Sequence, residues 1–158
     1  MPKQQLDSLD LSILKMLTEN ARMPYLEISR ECGVSGAAVH QRIQRLTANG
    51  VIIRSQCVVS PGALGYETCA FIGLILRDPS SHARMVECLR DFPEIIECYY
   101  TSGKYDILVK LLARNNMHLL QILQDLQNLR MARTETIVSF KTVFERQSPI
   151  PIIPEKTE

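Results

Sequence analysis

The stretch from Pro24 to Asn49, PYLEISRECGVSGAAVHQRIQRLTAN, admits few folds. It predicts two helices joined by a tight turn. Pro24 suits a first helical position, where a backbone N–H would have no intrahelical acceptor. Ile28 and Cys32 fall on one face. Gly33 can take the left-handed conformation that ends a helix. Val34 is placed to plug the gap between the helices, and Ser35 is a good N-cap for the second. In that second helix Val39, Ile43 and Leu46 recur at i, i+4 and i+7, a narrow inward stripe. The other face shows Gly36, Ala37, His40, Gln41 and Gln44, with Arg42 and Arg45 on its flanks and no acid between Ser35 and Asn49. Small residues permit close approach, glutamine and arginine can read base edges, and arginine can hold phosphates. The reading assigns Ser35, Gly36, Ala37, His40, Gln41, Arg42, Gln44 and Arg45 to double-stranded DNA. A solvated helix in an ordinary bundle would show the same helix–glycine–helix pattern.

Upstream, Asp7 is an N-cap candidate, Asp10 favours the dipole of a first turn, and Leu9, Ile13, Met16 and Leu17 form a stripe ending near Asn20. Three short helices make a compact, winged-helix-like head. Downstream, Gly50 follows a helix end, and the β-branched runs at 51–54 and 56–59 predict a linker strand, broken at Ser60-Pro61-Gly62. The remainder alternates. Thr68–Leu76 reads as a strand covered on both faces. A helix follows, capped by Ser81, with Met85, Val86 and Leu89 inward. Ile95–Thr101 and a run from Tyr105 or Asp106 to Ala113 are strands about a Ser102-Gly103-Lys104 turn. Asn115 or Asn116 caps a second helix. Thr134–Glu145 is a last strand with Val138, Phe140 and Phe144 on one side. The order β-α-β-β-α-β is a ferredoxin-like split unit, so the fold class is α+β. Two helices cover one face of such a sheet, and strands apolar on both faces call for a second copy on the other. The expected domains are a helix-turn-helix head over 1–54, a linker strand and hinge over 55–66, the sheet domain over 67–146, and a mobile proline-rich tail over 147–158.

The balance of charge argues for a local rather than global electrostatic case. Net charge is +1 over 158 residues. The first 54 residues carry seven Lys or Arg against five Asp or Glu, a modest +2. The five cysteines show no C-x-x-C pair and read as reduced core cysteines of a cytosolic protein. No secretory signal pattern is evident, and no apolar run is long enough to span a membrane. His82 and His118 stand apart from any second ligand at metal spacing and read as surface residues, and no metal or cofactor is expected. An enzyme on the sheet domain is the competing class, but no nucleophile–base–orienter set is visible.

In combination, LDSLDLSILKMLTENAR, GVSGAAVHQRIQRLTANGVI, SPGALGY, FIGLIL and YYTSGKYDILVKL resemble the bacterial Lrp/AsnC, or feast/famine, regulators over about residues 5 to 146. VSGAAVHQRI, SPGALGYETCAFIGLIL and ECYYTSGKYD are most similar to the asparagine-responsive branch. The resemblance implies a cytoplasmic, sequence-specific transcription factor, not an enzyme. It implies pairing through the sheet domain into a homodimer, and assembly of dimers into an octamer. It also implies an amino-acid effector, asparagine or a relative, held without covalent attachment between dimers near the loop joining the second and third strands. Carried over, the effector residues are Tyr100, Thr101, Gly103, Lys104 and Asp106, with Asn128 from the later helix. Gly103 would let backbone N–H groups approach a carboxylate, and Asp106 would accept from an α-ammonium. The asparagine branch carries a small uncharged residue where Asp106 stands and a histidine where Lys104 stands, which leaves the ligand open. Beside this stand an effector-independent architectural regulator and a plain small-molecule-binding module.

Overall fold

The computed structural model describes residues 5–129 and 131–151. The chain divides into two compact units, Val59–Val143 on one hand and Met1–Val58 with Phe144–Glu158 on the other.

The first unit holds three helices: α1 (Ser8–Glu19), α2 (Tyr25–Cys32) and α3 (Gly36–Ala48). Each begins and ends for a local reason. Asp7 accepts the Asp10 N–H at 2.9 Å while the Asp10 carboxylate accepts the Asp7 N–H at 3.2 Å, a reciprocal capping box. Pro24 lies one position earlier than expected, as the N-cap of α2 with extended backbone. Gly33 ends α2 at φ 65°, and Val34 folds back to donate to the Ser29 carbonyl at 3.0 Å. Ile13, Ile28, Val39 and Ile43 form the core, with Leu9, Met16, Leu17, Met23, Cys32, Val34 and Ile52 packed around it.

No strand forms between residues 51 and 67, which corrects the expected linker strand. Its β-branched residues have no ladder partner among the described residues, and residues 53–64 are exposed, Ile53 and Val58 almost fully. A strand is a pairing before it is a propensity.

The second unit runs β1 (Thr68–Ile75), α4 (His82–Arg90), β2 (Ile95–Tyr100), β3 (Ile107–Ala113), α5 (Asn116–Gln127) and β4 (Arg133–Ser139). The strands are antiparallel in the order β2-β3-β1-β4, the ferredoxin-like arrangement the alternation predicted. Ala70, Ile72 and Leu74 of β1 and Ile107, Val109, Leu111 and Ala113 of β3 share one face, buried with Met85 and Leu89 of α4 and Leu119, Ile122 and Leu126 of α5. Both helices of this unit pack on that face, and among its described residues no helix covers the opposite one. By register it presents Phe71 and Ile75, Leu108 and Leu112, Tyr99, and Ile137, which is 56% exposed.

Four further expectations need correction. β4 stops at Ser139, which pairs with Cys69 near the start of β1; the ladder is not continued past that point, and Phe140 and Phe144 are exposed. Ser81 occupies the N-cap position of α4, but its hydroxyl donates to the Asp78 carbonyl at 2.6 Å instead of capping. None of the five cysteines is in a disulfide and none is fully buried, with Cys57 and Cys98 exposed. His118 is also less of a surface residue than expected: it accepts the Arg114 N–H at 3.1 Å and lies 3.4 Å from Glu94. Residues 152–158 of the expected tail lie outside the described residues.

Candidate functional site

Two groups of residues stand out, one in each unit. In the head, Ser35 caps α3 by accepting the Ala38 N–H at 3.2 Å. The inward stripe of Val39, Ile43 and Leu46 is buried, which turns Ala37, His40, Gln41 and Gln44 outward, all exposed, with Gly36 half-buried at the helix start. The face is sterically open: a Cβ added at Gly36 would meet nothing within 4 Å. The His40 ring packs against Tyr25, centroids 5.7 Å apart, so an aromatic of α2 borders the same face. Periodicity within α3 could not have found it.

The arginines are differently placed than an acid-free helix suggests. Asp10 is wholly buried, and its carboxylate binds Arg42 Nη1 at 3.0 Å and Arg45 Nη2 at 2.6 Å. Asp7 takes a second contact to Arg42 Nη1. The hydrogen bond from Arg42, joined by the Asp10 N–H, holds the Asp7 carboxyl below the ordinary carboxylate range. The same two carboxylates push the Arg42 guanidinium above its usual value. α3 carries no acid of its own, yet α1 and its N-cap supply one each from more than thirty positions away.

In the sheet domain the loop between β2 and β3 is tied down at both ends. Thr101 N–H donates to the Asp106 carbonyl at 3.2 Å, and its hydroxyl donates to the Tyr105 carbonyl. Asp106 N–H donates to Leu74, and Asp106 Oδ2 accepts the Leu76 N–H at 2.7 Å. This carboxylate therefore finishes the end of β1 before any ligand is considered. Its other oxygen lies 3.9 Å from His82 Nε2, and the His82 ring meets Tyr100 edge-on at 5.5 Å. His82, read as a surface residue, thus belongs to the same cluster as Tyr100 and Asp106. A cleft of about 270 Å³ opens beside Tyr100 between α4 and β2, lined by Val86, Leu89, Ile95, Ile96, Arg90 and Glu97.

Lys104 and Tyr105 turn toward the helix-free face. Lys104 Nζ pairs with Glu135 of β4 at 2.6 Å, Tyr105 donates its hydroxyl to the same oxygen at 2.7 Å, and Arg133 reaches the other at 3.0 Å. Those donors hold Glu135 below its usual range, and Glu135 in turn raises both Lys104 and Tyr105. The Tyr105 ring lies over Gly73 so closely that any Cβ there would overlap it. The lone glycine inside the apolar run of β1 was the only sequence signal of this contact. Gly103 has no positive φ, and a Cβ on it would meet nothing within 4 Å, so no demand of this chain's own backbone or neighbours selects glycine there. Asn128 is the exposed C-cap residue of α5, tied to that helix through its backbone. Among the described residues no group of three His, Cys, Asp or Glu is placed to hold a metal ion, and no helix is long and apolar enough to cross a membrane.

Comparisons with known proteins agree with this division. Residues 6–47 match the AsnC-type helix-turn-helix domain, and residues 69–149 match the Lrp/AsnC ligand binding domain. The chain is 33% identical to the regulatory protein AsnC of Haemophilus influenzae over 145 residues, covering 92% of this chain and 94% of that one. The structure of Escherichia coli AsnC superposes with a TM-score of 0.87 at 32% identity, over 94% of this chain and all of the other. The feast or famine regulatory protein of Mycobacterium tuberculosis, complexed with L-methionine, shares the fold at a TM-score of 0.85 and 24% identity, over 93% of this chain and all of its own. A helix-turn-helix head joined to a ferredoxin-like domain of this kind defines a DNA-binding transcriptional regulator, not an enzyme. The chain belongs to the Lrp/AsnC family.

Proposed function

We propose that this regulator binds duplex DNA through the exposed face of α3 and answers to a small amino acid held near the loop from Tyr100 to Asp106. The observation that carries the reading is the pairing of two faces: an outward row of His40, Gln41 and Gln44 beside Arg45, and a loop whose Gly103 nothing in the chain itself requires. Ser35, Gly36 and Ala37 let the start of α3 approach the groove, and Arg42 and Arg45 supply phosphate contacts. In the sheet domain, Tyr100, Thr101 and the free backbone around Gly103 receive the ligand, Asp106 and Lys104 bound its charges, and Asn128 adds a polar contact. The methionine-bound Mycobacterium tuberculosis relative supports an amino acid as the ligand class; asparagine or a related amino acid is the effector proposed here, with no cofactor beside it.

A second copy of the chain covers the helix-free sheet face, where Phe71, Leu108, Leu112, Tyr99 and Ile137 would otherwise stay in water. A homodimer sets two heads about one turn of DNA apart, and further association, toward an octamer, places the effector between dimers. The effector acts by preferring one assembly or head spacing. The protein works in the cytoplasm, where cysteines outside any disulfide stay reduced.

One observation favours a second reading. The Asp106 and Lys104 side chains already have partners within the chain, as they would in a regulator that needs no effector. Thermal shift against the twenty amino acids separates the two, since a ligand that prefers the folded state raises the melting temperature. A reproducible shift with asparagine or a close analogue supports the first reading, and a flat panel supports the second. DNA affinity at two salt concentrations tests the head: affinity must fall steeply as salt rises.

A further inference from the structure

We propose that Asp7 is a positioning residue that competes with DNA phosphate for Arg42, and so weakens the free head's hold on any duplex. The proposal rests on α3 being the DNA-contacting helix. Arg42 stands between two carboxylates of unlike standing. Asp10 is wholly buried, and it binds both Arg42 and Arg45 while also accepting the Asp7 N–H. Pulling an arginine from it would leave buried charge poorly compensated, which is strongly unfavourable. Asp7 is different. Its side chain is 50% exposed and that of Arg42 is 29% exposed. An ion pair so open to water is weak and readily exchanged. The inner contact therefore aims the Arg42 side chain, and the outer one is replaceable.

The two jobs of Asp7 use different oxygens. Oδ1 accepts the Asp10 N–H and caps α1, whereas Oδ2 meets Arg42. A carboxylate oxygen held against an arginine of the proposed recognition helix has the chemistry of a DNA phosphate oxygen. Incoming phosphate must displace it. The capping role is separable, because asparagine caps a helix about as well as aspartate and carries no charge.

The test is a titration of the full-length chain with a labelled random-sequence duplex at low salt. Asp7→Asn is expected to bind about two- to fivefold tighter than the parent, the factor that an exposed ion pair's strength converts to. The gain is expected to vanish in an Arg42→Ala background, where nothing is left to compete for. Glu19→Gln, another exposed acid of α1 that makes no ion pair among the described residues, controls for mere loss of negative charge and is expected to change affinity less. Asp7→Ser, another uncharged capping residue, repeats the measurement should the asparagine variant lose helical content. Unchanged or weaker binding by a folded Asp7 variant overturns the proposal, as does a gain that survives Arg42→Ala or is matched by Glu19→Gln. Failure of the underlying reading looks different: Arg42→Ala and Arg45→Ala would each bind like the parent at low salt.

Discussion

Gly73 offers the sharpest test of how the loop from Tyr100 to Asp106, the proposed effector loop, is seated. It lies in the interior of β1, where glycine ordinarily weakens a sheet. A Cβ at this position would sit 2.5 Å from Cε1 and Cγ of Tyr105, and closer still to Cδ1. Carbon atoms rest comfortably at about 3.5 Å, so the ring must retreat by about 1 Å. It is not free to do so, because its hydroxyl donates to Glu135 and the Lys104 ammonium sits 5.4 Å from its centre. Overpacking a well-filled site is destabilising by about 1–3 kcal/mol. Against that, exchanging glycine for alanine inside a strand recovers about 0.5–1 kcal/mol. Gly73→Ala is therefore expected to lose about 0.5–2 kcal/mol. In a Tyr105→Ala background the collision is gone, and the same exchange should gain about 0.5–1 kcal/mol. Urea unfolding of the four proteins at one fixed protein concentration reads this reversal of sign as shifts in midpoint with an unchanged slope. Gly73→Ala that destabilises equally in both backgrounds would refute the reasoning, since the loss would then owe nothing to the ring. If the ring does move, the loop it belongs to moves with it, and the response to effector should weaken in Gly73→Ala while DNA binding at low salt stays normal.

Other outcomes follow from the same geometry. Ser35→Ala removes the cap of α3 and is expected to destabilise the head by about 1 kcal/mol, read as a lower melting temperature that Ser35→Asn largely restores. Ile137→Lys places a charge on the helix-free sheet face and is expected to shift sedimentation toward the monomer; an unchanged sedimentation coefficient would place the subunit contact elsewhere. Asp7 and Glu135 both titrate below their unfolded values, so each adds stability that is present above the unfolded carboxylate range and lost as pH falls through the folded value. Acid unfolding of Asp7→Asn or Glu135→Gln should accordingly show a shallower loss of stability below about pH 4 than the parent.

What the sequence determined by itself was the set of local elements. Asp7, Ser35 and Asn115 or Asn116 announce helix starts, of which the structure picks Asn115 for the last helix, Gly33 and Gly50 announce ends, and the stripe of Val39, Ile43 and Leu46 fixes which side of α3 faces inward. These depend on neighbours within a turn or two, so they can be read along the chain. The β-α-β-β-α-β order was legible for the same reason. Contacts across many residues were not. The pairing of Arg42 and Arg45 with Asp7 and Asp10, the Tyr105 ring on Gly73, and the gathering of Lys104 and Tyr105 on Glu135 each join distant segments. No periodicity encodes them. The β-prone run at 51–59 and the last residues of the expected final strand make the complementary point, for both have strand-like sequences along which no ladder forms among the described residues. Helices close their hydrogen bonds within themselves, but strands and charges find their partners only when the chain has folded, and only the tertiary structure decided which they found.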